Sequence, residues 1–417
     1  MSDRLGPIKK EQSTLAERPK IRQLDFQPVF YQNQQMWLAR DPLELSGQQM
    51  LLSPALAQIL VYCDGQHTVD QIKMSLERHV GLAIEVDTIR DTIAQLDDAL
   101  LLDNKRSAAA LRALLSVYRR QPVRPPSLAD RGYPADPAEL DEVFRTYGQE
   151  DDLSGWTEWQ GRGIISPHID YFRGGPVYAQ VWRRAEAAVR AAELVLIFGT
   201  DHNGSPGSMT LTRLPYATPY GVLPNDMGLI DSLAEAYGDE IFEQELHHKN
   251  EHSVELSAVW LHHIRGEEPP PMIPILCGSF QDFVINGHHP SDDRRLNAFI
   301  ERLRSETAGK RVLAVASVDL AHVGPSFGDE FVMDDQRRTT LVSSDQALMA
   351  AISQGDAAGF YTQIAAVQDR NRICGFSSIY AMLRYLGPTN GIEIAYDQCP
   401  ADAEDNSLVS ICGMLLD

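Results

Sequence analysis

The sequence predicts a three-layer α/β domain preceded by a small, mainly helical domain. Three observations carry this. From about residue 160 onward, wholly apolar runs alternate with amphipathic runs, the pattern of sheet strands covered on both faces by helices. Between about residues 45 and 105 the pattern is short helices with clear caps. The chain has 417 residues, is 43% hydrophobic and 23% charged, and is long for one domain.

Residues 1–44 lack steady periodicity, and "FQPVFYQNQQMWLARDP" reads as a strand pair or an extended arm. In residues 45–117, Ser53 before Pro54 marks a helix start, with Pro in the first turn. Asp64-Gly65 ends that helix, and Thr68 caps a second in which Val69, Ile72 and Leu76 share a face. A third begins near Asp87, with Ile89, Ile93 and Leu96 on one stripe, and "ALLLDNK" then reads as a short strand. Three helices and a terminal hairpin suggest a winged-helix unit. Residues 118–150, rich in Pro and Arg at their start, read as a linker or surface-wrapping arm.

The α/β domain is expected over 151–417. "GIISPH", "LVLIFG", "MIPILCGS", "RVLAVAS", "IEIAYDQ" and "SLVSICGMLL" read as strands. Between them "GPVYAQVWRRAEAAVRAA", "MGLIDSLAEAYG", "SVELSAVWLHHIRG", "DDRRLNAFIERLRSE", "TTLVSSDQALMAAISQG" and "SIYAMLRYLG" read as helices.

The formal charge of −21 opposes a broad nucleic-acid footprint, which requires phosphate-neutralising cations. The first residues show no apolar core of signal-peptide length, and no run of about 18 apolar residues occurs, so neither a membrane span nor export is expected. The five cysteines (63, 277, 374, 399, 412) are odd in number and scattered without a CxxC, which points to reduced thiols and a cytoplasmic location.

Three apolar strands run into loops that hold a histidine: Pro167-His168, Thr200-Asp201-His202, and Asp319-Leu320-Ala321-His322. In open α/β sheets ligands bind beyond the carboxyl ends of parallel strands, so parallel pairing would deliver all three to one edge. Neutral imidazole is a ligand for zinc, iron and copper, and two histidines with one anionic donor leave positions open for substrate. The anionic donor is Cys374 in "NRICGFSSIY", ahead of a helix whose N-terminus is expected to lower the thiol pKa, or alternatively Asp319. Glu251-His252-Ser253 opens a helix. His247, His248, His262 and His263 read as surface or helix-end residues, and His288-His289 as a polar loop. No Gly-x-Ser-x-Gly elbow and no P-loop occurs, which disfavours serine-hydrolase and nucleotide-phosphate chemistry and leaves metal-bound-water hydrolysis as a minor reading.

The motifs "SPHIDYFRGGPVYA", "VLIFGTDH", "LPYATPYGVLPND", "NEHSVELSAVWL", "IPILCGS", "SVDLAHVGPSFG" and "CGFSSIYAML", in this order over roughly 160–417, resemble the MEMO family, which includes the proteins called AmmeMemoRadiSam system protein B. The pattern of caps and apolar positions over roughly 45–105 is similar to PqqD-like peptide-recognition domains, and equally to a generic helical domain. The MEMO resemblance implies a fold similar to class III extradiol dioxygenases. It implies His168, His202 and Cys374 as metal ligands, and His322 with Asp319 as the acid–base pair. Asp170, Tyr171, Asp201, Asp226, Glu251 and His252 are placed by it in the pocket or around the ligands. The sequence departs from the family pattern at Ile169-Asp170 and at Asp201, each adding a carboxylate beside an expected ligand. The implied metal is Fe(II) first and copper second. The implied activity is that of a metal-dependent redox enzyme or dioxygenase acting on a small molecule. The alternative is a peptide- or partner-binding protein without turnover, its N-terminal region recruiting a radical-SAM partner.

Overall fold

Residues 17–32 and 34–417 are described by the structure, a computed structural model. The chain divides into two compact units, Met1–Val117 and Tyr118–Asp417. In the first, strands β1 (Asp25–Tyr31), β2 (Gln34–Arg40) and β3 (Met50–Leu52) form an antiparallel sheet in that order. The strand-pair reading of this stretch therefore holds over the arm one, while the part of residues 1–44 before residue 17 lies outside the described residues. Helices α1 (Pro54–Val61), α2 (Val69–Ser75), α3 (Val86–Asp98) and α4 (Lys105–Tyr118) follow, α2 continuing into one π turn at Leu76–Val80. Ser53 accepts from the Leu56 amide, and Thr68 with Gln71 forms a reciprocal capping box. Ile59, Ile72, Leu76, Ile89, Ile93 and Leu96 make the core of this unit.

The strand expected at "ALLLDNK" does not form. Leu100 turns the chain at a φ of 58°, Leu102 makes a single bridge to Ile21, and the Asn104 side chain donates through Nδ2 to the Asp97 carboxylate at 2.6 Å, folding the chain directly into α4. In this unit the sheet thus precedes the helices, and among its described residues no hairpin follows them.

The second unit begins with the stretch read as a linker. It is instead packed: Arg124 is fully buried, and α5 (Pro137–Tyr147), capped by Asp136, buries Leu140 and Phe144. Beyond it come β4 (Gly163–Ser166), α6 (Tyr171–Arg184), α7 (Glu186–Ala191), β5 (Leu194–Thr200), β6 (Met209–Leu211), β7 (Tyr216–Thr218), β8 (Gly221–Leu223), α8 (Met227–Tyr237), α9 (Ser253–Arg265) and β9 (Met272–Cys277). The remainder is α10 (Gln281–Asn286), α11 (Arg294–Thr307), β10 (Val312–Ser317), β11 (His322–Val323), α12 (Asp335–Ser353), α13 (Ala357–Ala366), α14 (Phe376–Leu386), β12 (Gly391–Pro400) and β13 (Leu408–Leu416).

The central sheet runs β11-β13-β4-β10-β5-β9-β6, with β12 along the other side of β13. The inner strands β4, β10, β5 and β9 are parallel; β13 and β6 pair with them antiparallel. Alternation along β5 shows the layering. Leu194, Leu196 and Phe198 pack with α8, α11, α13 and α14, while Val195 and Ile197 pack with α6, α7 and α9. The mixed α/β architecture with helices on both faces is therefore as expected. No helix among the described residues is long and apolar enough to cross a membrane.

Candidate metal centre

Strand register builds the site. Ser317 of β10 pairs with Ser166 of β4 and with Gly199 of β5, so His168, Asp319 and Asp201 all stand two residues past one aligned row. The start of α9 closes over this edge. The Ser253 hydroxyl donates to the Thr200 carbonyl at 2.8 Å, and the Ser317 hydroxyl to the Ser253 carbonyl at 2.5 Å. Gly199 permits the approach, since a Cβ there would lie 2.6 Å from the Ser253 hydroxyl oxygen. Cys374 arrives from the turn before α14. Gly375 lets that turn sit against the Asp319 loop, where a Cβ would fall 2.5 Å from Cβ of Val318.

The ligating atoms of His168, His202 and Cys374 lie within 4.8 Å of one another. Cys374 Sγ is 3.3 Å from His168 Nε2. His168 is buried, and its Nδ1 lies 3.0 Å from the Ser317 carbonyl. A carbonyl only accepts, so Nδ1 carries the proton and Nε2 keeps its lone pair toward Cys374. His202 Nδ1 lies 3.0 and 3.1 Å from the two oxygens of Glu251, so Nδ1 keeps its proton and Nε2 is the nitrogen that would be given to a metal. Both imidazoles are thus held as metal-bound imidazoles are held, by an acceptor on the far nitrogen. Ligands about 2.0 and 2.3 Å from one ion stand about 3.1–3.6 Å apart at angles from square to tetrahedral, and the 3.3 Å separation falls inside that span. The donor set fits a single ion.

Burial drives the His168 pKa well below its ordinary value, with His202 and His252 adding to the effect, so this ligand is neutral. Burial also acts to lower His202, but the Glu251 carboxylate overrides it and holds this imidazole well above its ordinary range. Glu251, despite burial that opposes ionisation, is kept well below the usual carboxylate range by His202, His252 and the Ser253 amide. The expectation for Cys374 is corrected. Burial pushes its thiol up, outweighing the hydrogen bond from His202, so without a metal the sulfur is protonated.

Asp319 receives the amides of His168 and Ile169 at 2.9 and 3.1 Å, yet burial raises its pKa. Asp319, His322 and Cys374 form a second group within 4.8 Å. Burial lowers His322, whose Nδ1 faces the Leu320 carbonyl at 3.3 Å and whose ring stands edge-on to Phe327 at 5.1 Å. His252 stacks on His202 with ring centroids 5.0 Å apart. His202 and His252 are each more than a third exposed, so the cleft is open to solvent.

Of the residues expected around the ligands, Glu251 and His252 are there. The others have different tasks. Asp170 caps α6 and pairs with Arg173. Tyr171 is buried among Tyr178, Phe144 and Trp260 and donates to the Leu256 carbonyl at 2.6 Å. Asp226 caps α8 and pairs with Lys310. Asp201 bonds His247 at 2.9 Å rather than a ligand. The other histidines read as surface or helix-end residues do lie at helix ends, His247 and His248 in the segment Glu245–Lys249 and His262 and His263 in the last turn of α9, but two of them are not at the surface. His248 is fully buried, bonded to Tyr216 and Thr210, and His262 is buried against Thr218. His248 sits in a polar stretch that carries no burial signal, whereas His262 lies four residues past Ala258 on a helix with Leu261 and Ile264 beside it, a pattern that does signal burial.

These features define an α/β protein with a candidate two-His, one-Cys centre at the carboxyl edge of its parallel strands. The family description "Memo-like protein" matches residues 124–415, and the chain belongs to that family. It is similar to a MEMO1 family protein of Aquifex aeolicus, 26% identical over 95% of this chain and 99% of the relative. A MEMO1 family protein of Methanosarcina barkeri is 24% identical over 71% of this chain and its own whole length, and one of Methanococcoides burtonii 29% over 53% and 72%.

Proposed function

We propose that the cleft holds one non-haem metal ion, Fe(II) first and copper second, on His168, His202 and Cys374, and that the protein is a metal-dependent redox enzyme of dioxygenase-like fold. The observation that carries this is the pinning of both imidazoles by far-side acceptors, Ser317 and Glu251, with the cysteine sulfur 3.3 Å from His168 Nε2. Bound there, the metal supplies a Lewis-acidic, redox-active centre with positions open to a small ligand. Around it, His322 is neutral near pH 7 and takes a proton from a ligand hydroxyl, while Asp319 stabilises the resulting imidazolium. Phe327 limits the space beside that imidazole.

The test is elemental analysis of protein from its own host, followed by anaerobic Fe(II) loading and oxygen uptake with phenols. About one metal per chain is expected, absent in His168→Ala and Cys374→Ala. Metal retained in both variants defeats the ligand assignment, and metal without oxygen uptake defeats the enzymatic reading.

A second reading concerns the first unit, as a recruiter of a peptide or of a radical-SAM partner, in line with its PqqD-like pattern. It is favoured by β1, which pairs only with β2 among the described residues and presents Phe30 at 84% exposure beside Phe26 and Tyr31. Phe30→Asp in the full chain should abolish partner capture and leave metal content unchanged; capture that survives removes this reading.

A further inference from the structure

Arg124 is fully buried, in a segment whose sequence reads as a linker. Every nitrogen of its guanidinium has a partner. Nε donates to the His248 carbonyl at 2.7 Å and Nη2 to the Glu251 carbonyl at 2.8 Å, while Nη1 reaches the Glu255 carboxylate. Ser127 accepts at 3.3 Å and the Tyr216 ring lies 4.7 Å beneath. Its own backbone is tied to Pro215 and Ala217. Glu255 in turn takes the amides of Ser127 and Leu128, each at 2.8 Å, and the Tyr133 hydroxyl.

A buried ion pair is weak grounds for stability, because desolvation offsets most of the attraction. What the planar fork does here is geometric. The His248 carbonyl lies in the 3₁₀ segment Glu245–Lys249 and the Glu251 carbonyl in the irregular turn that joins it to α9, and Arg124 clamps the two ends of this connection together. The side chain of Glu251 leaves the same turn and holds His202 Nδ1, and His252 and Ser253 follow directly. We infer that Arg124 is a positioning residue of the metal centre: it fixes the backbone from which Glu251 orients His202. This rests on the metal reading above.

Arg124→Lys keeps a cation near Glu255 but offers one nitrogen in place of the three that separately hold the His248 carbonyl, the Glu251 carbonyl and the Glu255 carboxylate. Glu255→Gln breaks the ion pair while leaving the fork on His248 and Glu251. Co(II) affinity, thiolate-to-metal absorption and urea midpoints are measured for both variants. The inference expects Arg124→Lys to lose about 10–100-fold in Co(II) affinity, and Glu255→Gln to lose less than threefold even where its midpoint falls as far. Equal losses, or none in Arg124→Lys, overturn it. Amide exchange at Glu251, His252 and Ser253 without metal is read in parallel. Faster exchange in Arg124→Lys alone supports the clamp, even if wild-type protein binds no Co(II) and the metal reading falls; unchanged exchange overturns it. Should Arg124→Lys not fold, the Nε proton of Arg124 in wild-type protein is followed by NMR. Its solvent exchange must slow on metal loading, and an unchanged rate overturns the inference.

Discussion

Replacing Glu251 with Gln tests how the metal centre is held. The carboxylate receives His202 Nδ1 on both oxygens, the His252 and Ser253 amides on Oε1 at 2.9 and 3.0 Å, and the His202 amide on Oε2 at 3.2 Å. An amide offers one oxygen. Placed at Oε1, it turns its NH2 on the His202 amide; placed at Oε2, it turns it on two amides. Either way at least one buried donor is left without an acceptor, a cost of about 1–3 kcal/mol. The negative charge that holds His202 well above its ordinary pKa is also lost. Loss of such an outer partner weakens metal binding by about 10–100-fold, or about 1.4–2.8 kcal/mol. Competition of Co(II) or Fe(II) against a chromophoric chelator reads this directly. An affinity within twofold of wild type would show that Glu251 does not orient the ligand.

Three further outcomes are expected. Cys374 and His202 are both raised and both protonated at pH 7 in the metal-free protein, so loading releases about two protons and affinity climbs about a hundredfold per pH unit while both remain protonated; calorimetry in buffers of different ionisation enthalpy counts them. Asp345, buried with one oxygen unpartnered and the other on the Tyr396 hydroxyl, is pushed up to about 6 by burial. A raised folded pKa gives stability that is full below the unfolded value and lost as pH rises through about 6. Asp345→Asn should therefore remove a loss of up to about 3 kcal/mol between about pH 4 and 6, seen as a melting temperature that no longer falls over that range. Gly375→Ala places a Cβ 2.5 Å from Val318 and 2.8 Å from the Asp319 carbonyl, which should cost about 1–3 kcal/mol in urea unfolding and weaken metal binding by moving Cys374 off the Asp319 loop.

The α/β alternation was legible because each inner strand is apolar on both faces and each helix is amphipathic, signals confined to a few neighbouring residues. The candidate ligand histidines were legible for the same reason: each follows an apolar run by two or three residues. Where the sequence misled, the deciding contact came from far along the chain. Arg124 looks like a linker arginine until Glu255 and the His248 turn are brought to it. Asp201 and His247 become a pair only when β5 meets the segment before α9. The helix that follows Cys374 points to a lowered thiol pKa, whereas burial in the pocket that surrounds it raises that pKa and keeps the proton on. Tyr171, adjacent in sequence to the first ligand loop, turns into the aromatic layer beneath α9.

Cys374 and His168 stand 206 positions apart and yet 3.3 Å from each other. During synthesis, the histidines must wait for most of the α/β unit to emerge before their sulfur partner exists. No ion can be captured by all three donors on a half-made chain. On the reading proposed above, occupancy would report that the parallel strands and the turn before α14 have come together, and a protein starved of metal during translation should load as fully afterward as one supplied throughout.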